Sequence, residues 1–205
     1  MSKIAILGIT GRVGSRLATE LSKRGHTVTG IARKTEGLAA QPGLTVKAGD
    51  ATDTAGLVPL LKDHDAVIRA TRFVGGGEAA ALVAALKQAG VPRLLVVGGA
   101  GSLEVAPGVA AVDTPSFPEA YKPEALAGRD FLHALRKETQ LDWTFLSPSA
   151  ELMPGERTGS YRKGGEQMLF DAKGTSHISM EDYAIAMSDE LEQPRHSRQR
   201  FTVGY

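Results

Sequence analysis

An α/β fold, a single Rossmann-type doubly wound parallel sheet flanked by helices, is the class this sequence predicts. Three observations predict it. Short apolar runs alternate with helical patterns from one end of the chain to the other. One run, Leu94 to Val97, carries no polar residue at all, which suits a parallel strand covered on both faces. And a glycine-rich turn sits between the first strand and the first helix, where a nucleotide-binding βαβ unit has one. With 205 residues the chain reads as one domain, 1–205, with a small substrate-facing segment at about 151–178.

Lys3 to Leu7 is the first strand. Gly8-Ile9-Thr10-Gly11-Arg12-Val13-Gly14 follows, its glycines spaced G-x-x-G-x-x-G, and Val13, Leu17 and Leu21 recur behind them at helical spacing. Strand, glycine turn and helix in that order form the first half of a dinucleotide-binding unit. Gly8 turns the chain off the strand, Gly11 lets backbone N–H groups approach a pyrophosphate, and Gly14 lets the helix pack close on the sheet. Phosphates then lie at a helix N-terminus, where free N–H groups and the helix dipole favour an anion. The spacing is not G-x-x-x-x-G-K-[ST], which disfavours a P-loop.

The helix stops at Arg24-Gly25, and Thr27 to Ala32 is a β-branched second strand. Arg33 and Lys34 come directly after it, about 20 residues past the glycines, where an acidic residue would hold the ribose 2′-OH of NAD. With Arg12 in the turn, these cations suit a 2′-phosphate, so NADP(H) is preferred over NAD(H). The alternatives are two solvated charges, or a return of Glu36 to a ribose hydroxyl. Leu44 to Ala48 is the third strand, and Asp53 caps a helix through Leu57, Leu60 and Leu61. Ala66 to Thr71 is the fourth, beside the first at the switch point, so Ala70 and Thr71 line the cofactor and Arg72 reaches phosphate. A helix from Glu78 to Gln88 leads to the fifth strand, Arg93 to Val97. Gly98 and Gly99 then bring backbone close to the nicotinamide. Val105 to Pro118 reads as loop, Glu119 to Lys137 as helix, and Asp142 to Leu146 as the sixth strand. Met153 to Gly174 is the variable, substrate-facing stretch, with a strand at Gln167 to Phe170. His177-Ile178 is a short strand, Ser179 opens a helix to Glu192, and Arg200 to Gly204 is the last strand.

The opening "ILGITGRVGSRL", with its T-G-x-x-G turn, resembles the atypical short-chain dehydrogenases/reductases, and within them the NmrA-like NAD(P)H-binding group that includes flavin reductases. The resemblance implies that Asp50, in "AGDATD" with Ala51, accepts a hydrogen bond from the adenine amino group; a local turn role is the alternative. It also implies that Pro148 and Ser149 of "SPS" contact the nicotinamide half. The superfamily's Tyr-x-x-x-Lys pair is missing: Tyr121 and Lys122 are adjacent, and Tyr161 and Tyr183 have Gly165 and Met187 at the fourth position. Tyr121, Lys122 and Ser149 are the remaining catalytic candidates. Tyr121 or Lys122 touches the cofactor ribose or is plain surface.

Composition excludes much else. There is no cysteine, hence no disulfide, thiolate metal site or cysteine nucleophile, which fits a cytoplasmic protein. The histidines show no metal spacing, and no metal is expected. The formal net charge is +1, which gives no reason to invoke nucleic acid or membrane. The first strand starts at residue 3, leaving no room for a signal peptide, and no apolar run approaches the ~20 residues of a membrane span. The basic run Arg195, His196, Arg198, Arg200 reads as a solvated connector rather than an RNA contact. The partner expected is a small-molecule acceptor, with flavin as a possible substrate, and the chain is a monomer or homodimer. Hydride transfer from NADPH to a flavin or quinone needs no protein proton donor, which matches the missing pair. The other readings are an NmrA-like NADP(H) sensor without turnover, and an epimerase or carbonyl reductase.

Overall fold

A computed structural model describes residues 1–36 and 42–205. The strands are β1 Lys3–Leu7, β2 Thr27–Ala32, β3 Leu44–Ala48, β4 Ala66–Arg69, β5 Arg93–Val97, β6 Glu104–Ala106, β7 Val109–Ala110, β8 Asp142–Ser147, β9 Glu151–Met153, β10 Arg162–Gly164, β11 His177–Ser179 and β12 Gln199–Gly204. The helices are α1 Arg12–Lys23, α2 Thr54–Leu61, α3 Ala79–Ala89, α4 Lys122–Leu135 and α5 Met180–Glu192. The main sheet has the order β10-β12-β8-β5-β4-β1-β2-β3, parallel throughout except for β10 against β12. β1 pairs with β2 on one side and β4 on the other, so the order reverses there. Ligand crevices of doubly wound sheets open at that reversal.

The sheet buries both faces, which explains its apolar strands. One core packs α2, α3 and α4 through Leu57, Leu86, Phe131 and Trp143. The other packs α1 and α5 through Leu17, Leu21, Tyr183 and Met187. Alternate residues of β1 divide between them: Ala5 and Leu7 join the first core, Ile4 and Ile6 the second. Gly14 lets α1 lie tight on the sheet, since a β-carbon there would stand 2.2 Å from Gly8 O.

Four expectations change. Gln167 to Phe170 forms no strand; Gln167 makes one bridge to Glu104, and the edge strand is β10 instead. Part of the expected loop 105–118 is the β6–β7 hairpin, turned at Gly108 with φ +72°. β9, read only as the start of the substrate-facing segment at about 151–178, pairs in parallel with β11. The basic run is no solvated connector throughout: Arg200, in β12, is buried and pairs with Glu166, and His196 stacks 4.0 Å from Phe201.

Candidate functional site

A cleft of about 460 Å³ opens at the C-terminal ends of β1 to β4. Gly8, Thr10 and Gly11 form its floor, Ala32 and Arg33 one wall, and Asp50 and Ala51 the next. Ala70, Thr71 and Arg72, then Val74 to Gly76, close the opposite side. The local chemistry suits an anion. α1 begins at this floor with Gly11 as its N-cap, no side-chain cap and no acid in its first turn. Asp53 caps α2 and Ser179 caps α5, while α3 and α4 share the missing side-chain cap; α1 differs in starting at the floor of this cleft. The first N–H groups of α1 are therefore left for a ligand. Gly8 sits at φ +91°, and a β-carbon there would stand 2.8 Å from Ala70 O, so the turn and the end of β4 meet without side chains between them. The buried Oγ1 of Thr71 has no hydrogen-bond partner in the protein.

Of the cations expected at the 2′-phosphate, Arg33 lines the cleft, whereas Arg12 and Lys34 do not. All three are exposed, and none is in an ion pair among the described residues. Glu36 is exposed and outside the lining. Asp50 makes the local turn weighed for it and also lies in the cleft lining. It faces the cleft, and its Oδ1 accepts from Thr52 N (2.9 Å) and Thr52 Oγ1 (2.8 Å) in a local turn. Those hydrogen bonds, aided by Arg33, hold its carboxyl below the usual range. Val13 and Gly14 lie behind the turn, in α1, rather than in the lining.

A second cleft, about 750 Å³, adjoins the first across residues 71–76. Gly98 to Ser102 run along its base, and Phe73, Val105, Phe117, Pro118, Met168 and Phe170 make most of its apolar wall. Tyr121, Glu124, Arg129 and Glu151 are its ionisable members. Glu124 is occupied: its carboxylate accepts from Phe73 N (2.6 Å) and Val74 N (3.1 Å). Arg129 Nη1 donates to Asp113 at 2.9 and 3.1 Å. Tyr121 is 67% exposed at the rim, and Lys122 Nζ is paired with Glu119 at 2.6 Å outside the lining, so the two make no catalytic couple.

Two further expectations are corrected here. Ser149 is buried, and its hydroxyl donates to Val203 O at 2.9 Å; with the buried Pro148 it serves the join between β8 and β12 and lines neither cleft. The stretch 153–174 is divided. Only Met168 and Phe170 reach the second cleft. Residues 155–161 strap across α1 and α5 instead: Arg157 on Glu20 (2.8 Å), Gly155 N on Glu181 (2.8 Å), Gly159 N on Asp182 (2.8 Å), and Tyr161 Oη on Asp189 (3.0 Å). Gly98 and Gly99, expected beside the nicotinamide, line this second cleft and not the first; the rest of its wall comes mainly from Ala100 to Ala125, which sequence patterning left as loop and helix start.

Arg69 was also missed, although a charged residue inside an apolar strand is a signal. It is 1% exposed, its guanidinium lies 4.4 Å from both the Phe73 and Phe131 ring centres, and burial pushes its pKa down to about 10. It remains charged at neutral pH and donates to Thr71 O (3.0 Å), Arg72 O (2.8 Å) and Gly76 O (3.4 Å). Among the described residues no group of side chains has the makings of a metal site, and no helix is long and apolar enough to cross a membrane.

The chain matches the family model described as NAD(P)H-binding over residues 8–194. It is 43% identical to the uncharacterised protein YwnB of Bacillus subtilis, over 98% of this chain and 97% of that one. Among solved structures it is similar to a presumed epimerase of Bacteroides thetaiotaomicron (42% identity, TM-score 0.94, 100% of this chain and 97% of that one). It is also similar to a presumed NADH-flavin reductase of Streptococcus pneumoniae (34% identity, TM-score 0.86, 100% and 99%). A third, called a presumed exported protein of Burkholderia pseudomallei, is 46% identical with TM-score 0.91 over the whole of both chains.

Proposed function

Since the chain belongs to the NAD(P)H-binding family, we propose that it is an NADPH-dependent reductase passing hydride to a flavin- or quinone-like acceptor. The dinucleotide lies in the first cleft, its pyrophosphate on the Gly8–Gly14 turn and its 2′-phosphate at Arg33. The acceptor lies in the second. The observation that carries this reading is the pair of clefts sharing one wall, the first with the uncapped start of α1 at its floor and Arg33 in its lining, the second mostly apolar. Bound NADPH supplies the hydride. The protein's share is to hold two rings against each other, a matter of orientation. Three of the four ionisable groups of the second cleft fit that division of labour: Glu124 and Arg129 are engaged within the protein, and Tyr121 stands at an exposed rim; the fourth, Glu151, is exposed to solvent. Flavins and quinones take their proton from water, so no side chain need supply it.

The test is a panel of flavins, quinones and simple carbonyls, each with NADPH and with NADH. Turnover of ring acceptors with NADPH, and not of carbonyls, is the expected result. Tight NADPH binding without oxidation of any acceptor would replace this reading by that of a cofactor sensor. Carbonyl turnover dependent on Tyr121 would replace it by that of a carbonyl reductase.

A further inference from the structure

The residues after β4 are shared between the two clefts. Thr71, Arg72 and Val74 to Gly76 face the first, while Phe73 faces the second. This short loop is held from two directions. Arg69 takes carbonyls from below, as described. Glu124, on α4 and in the lining of the second cleft, takes the amides of Phe73 and Val74 from the side. Its Oε2 also stands 3.4 Å from Nε of Arg72, whose side chain is 79% exposed. Around it the space is closed: Phe73 packs 5.5 Å from Phe131 and 6.0 Å from Phe145, ring centre to ring centre, and a β-carbon on Gly128 would stand 3.0 Å from the Phe73 ring.

We propose that Glu124 is a positioning residue that couples the two clefts. By holding the Phe73 and Val74 amides it sets the wall against which the dinucleotide packs, although it lies on the acceptor side. A ligand pressing on Glu124 in the second cleft moves the cofactor wall, and a dinucleotide seated in the first cleft fixes Phe73 in the second. This rests on the reading of the first cleft as the dinucleotide site. Two contacts of Glu124 oppose each other: the amide bonds preorganise the loop, and the pairing with Arg72 withholds a cation from phosphate. Charge-assisted hydrogen bonds at 2.6 and 3.1 Å outweigh a solvated ion pair at 3.4 Å, so losing the carboxylate weakens cofactor binding.

The experiment compares wild type with Glu124→Gln and Glu124→Ala. Three things are read: amide hydrogen exchange at Phe73 and Val74 without cofactor, dissociation constants for NADPH by calorimetry, and acceptor KM against kcat. Gln keeps the volume and can accept from only one of the two amides, so it guards against mere misfolding. Exchange about tenfold faster in both variants is expected, with NADPH Kd raised about fivefold in Glu124→Gln and more in Glu124→Ala, and kcat falling more than acceptor KM rises. Faster exchange with NADPH affinity and kcat unchanged would show a structural tie only and overturn the coupling. Unchanged exchange would overturn the positioning role itself. A wild type that binds no dinucleotide would refute the reading of the first cleft, and the coupling with it; variants that match a dinucleotide-binding wild type in NADPH affinity and kcat would refute the coupling and leave the reading of the first cleft standing.

Discussion

Replacing Arg33 by alanine should cost NADPH affinity and leave NADH affinity nearly unchanged. Arg33 is the cation of the expected trio that lines the first cleft; Arg12 and Lys34 are exposed and outside its lining. A hydrogen bond to a charged group is worth roughly 1.5–3 kcal/mol. Arg33 is exposed and its partner would be solvent-facing, which reduces the gain to ~1 kcal/mol or somewhat more. At 1.4 kcal/mol per factor of ten, the loss in NADPH affinity comes to roughly five- to tenfold. Lys34→Ala should cost less, within about threefold, because only screened attraction remains to it. Calorimetric titration of both cofactors at low and high salt reads all of this, with the Arg33 effect shrinking as salt rises. Equal wild-type affinities for NADPH and NADH would refute the reasoning. So would an Arg33→Ala variant that loses both cofactors equally, since the arginine would then act on the shared part of the ligand or on the fold.

Gly14→Ala places a carbon 2.2 Å from Gly8 O, a backbone atom that cannot rotate away. The helix must lift off the turn, at about 1–3 kcal/mol of stability, with a large loss of dinucleotide binding; chemical denaturation and calorimetry check both. Tyr121→Phe should keep most of the turnover, because the hydroxyl stands at a 67% exposed rim, whereas loss of a general acid costs ~10²–10⁴-fold; steady-state kinetics decides. The third concerns acid. The Arg157 guanidinium holds the Glu20 carboxyl below the usual range; burial pushes Glu181 and Glu192 up, but Arg16 on the first and His26 with Arg24 on the second outweigh it and hold both low. A carboxyl lowered in the folded state stabilises above its unfolded pKa and loses that contribution as pH falls through the folded one. Denaturation midpoints should therefore drop below about pH 4.5, and Glu20→Gln should flatten that drop; an unchanged acid limb in the variant would count against the strap.

The glycine turn, the strand order around β1 and the two-faced core were legible in the sequence because each has a local cause. G-x-x-G-x-x-G needs no distant partner to form a tight turn, and apolar strands alternating with amphipathic helices leave few topologies that bury both faces. Asp50 was legible for the same reason, with both its turn and its cleft position set within a few residues. The second cleft was not. Its walls are Gly98 to Ser102, the hairpin edge, the start of α4 and Met168 with Phe170, segments brought together only by the fold. Glu124 meets the Phe73 amide from 51 positions away, and Arg157 meets Glu20 from 137. Ser149 misled because "SPS" says nothing of which way a hydroxyl points, and the approach of β12 to β8 turned it toward Val203 O. Periodicity and composition record which faces are apolar. Which polar groups find one another depends on how the packed elements set their ends side by side, and that is determined by closing the core as a whole.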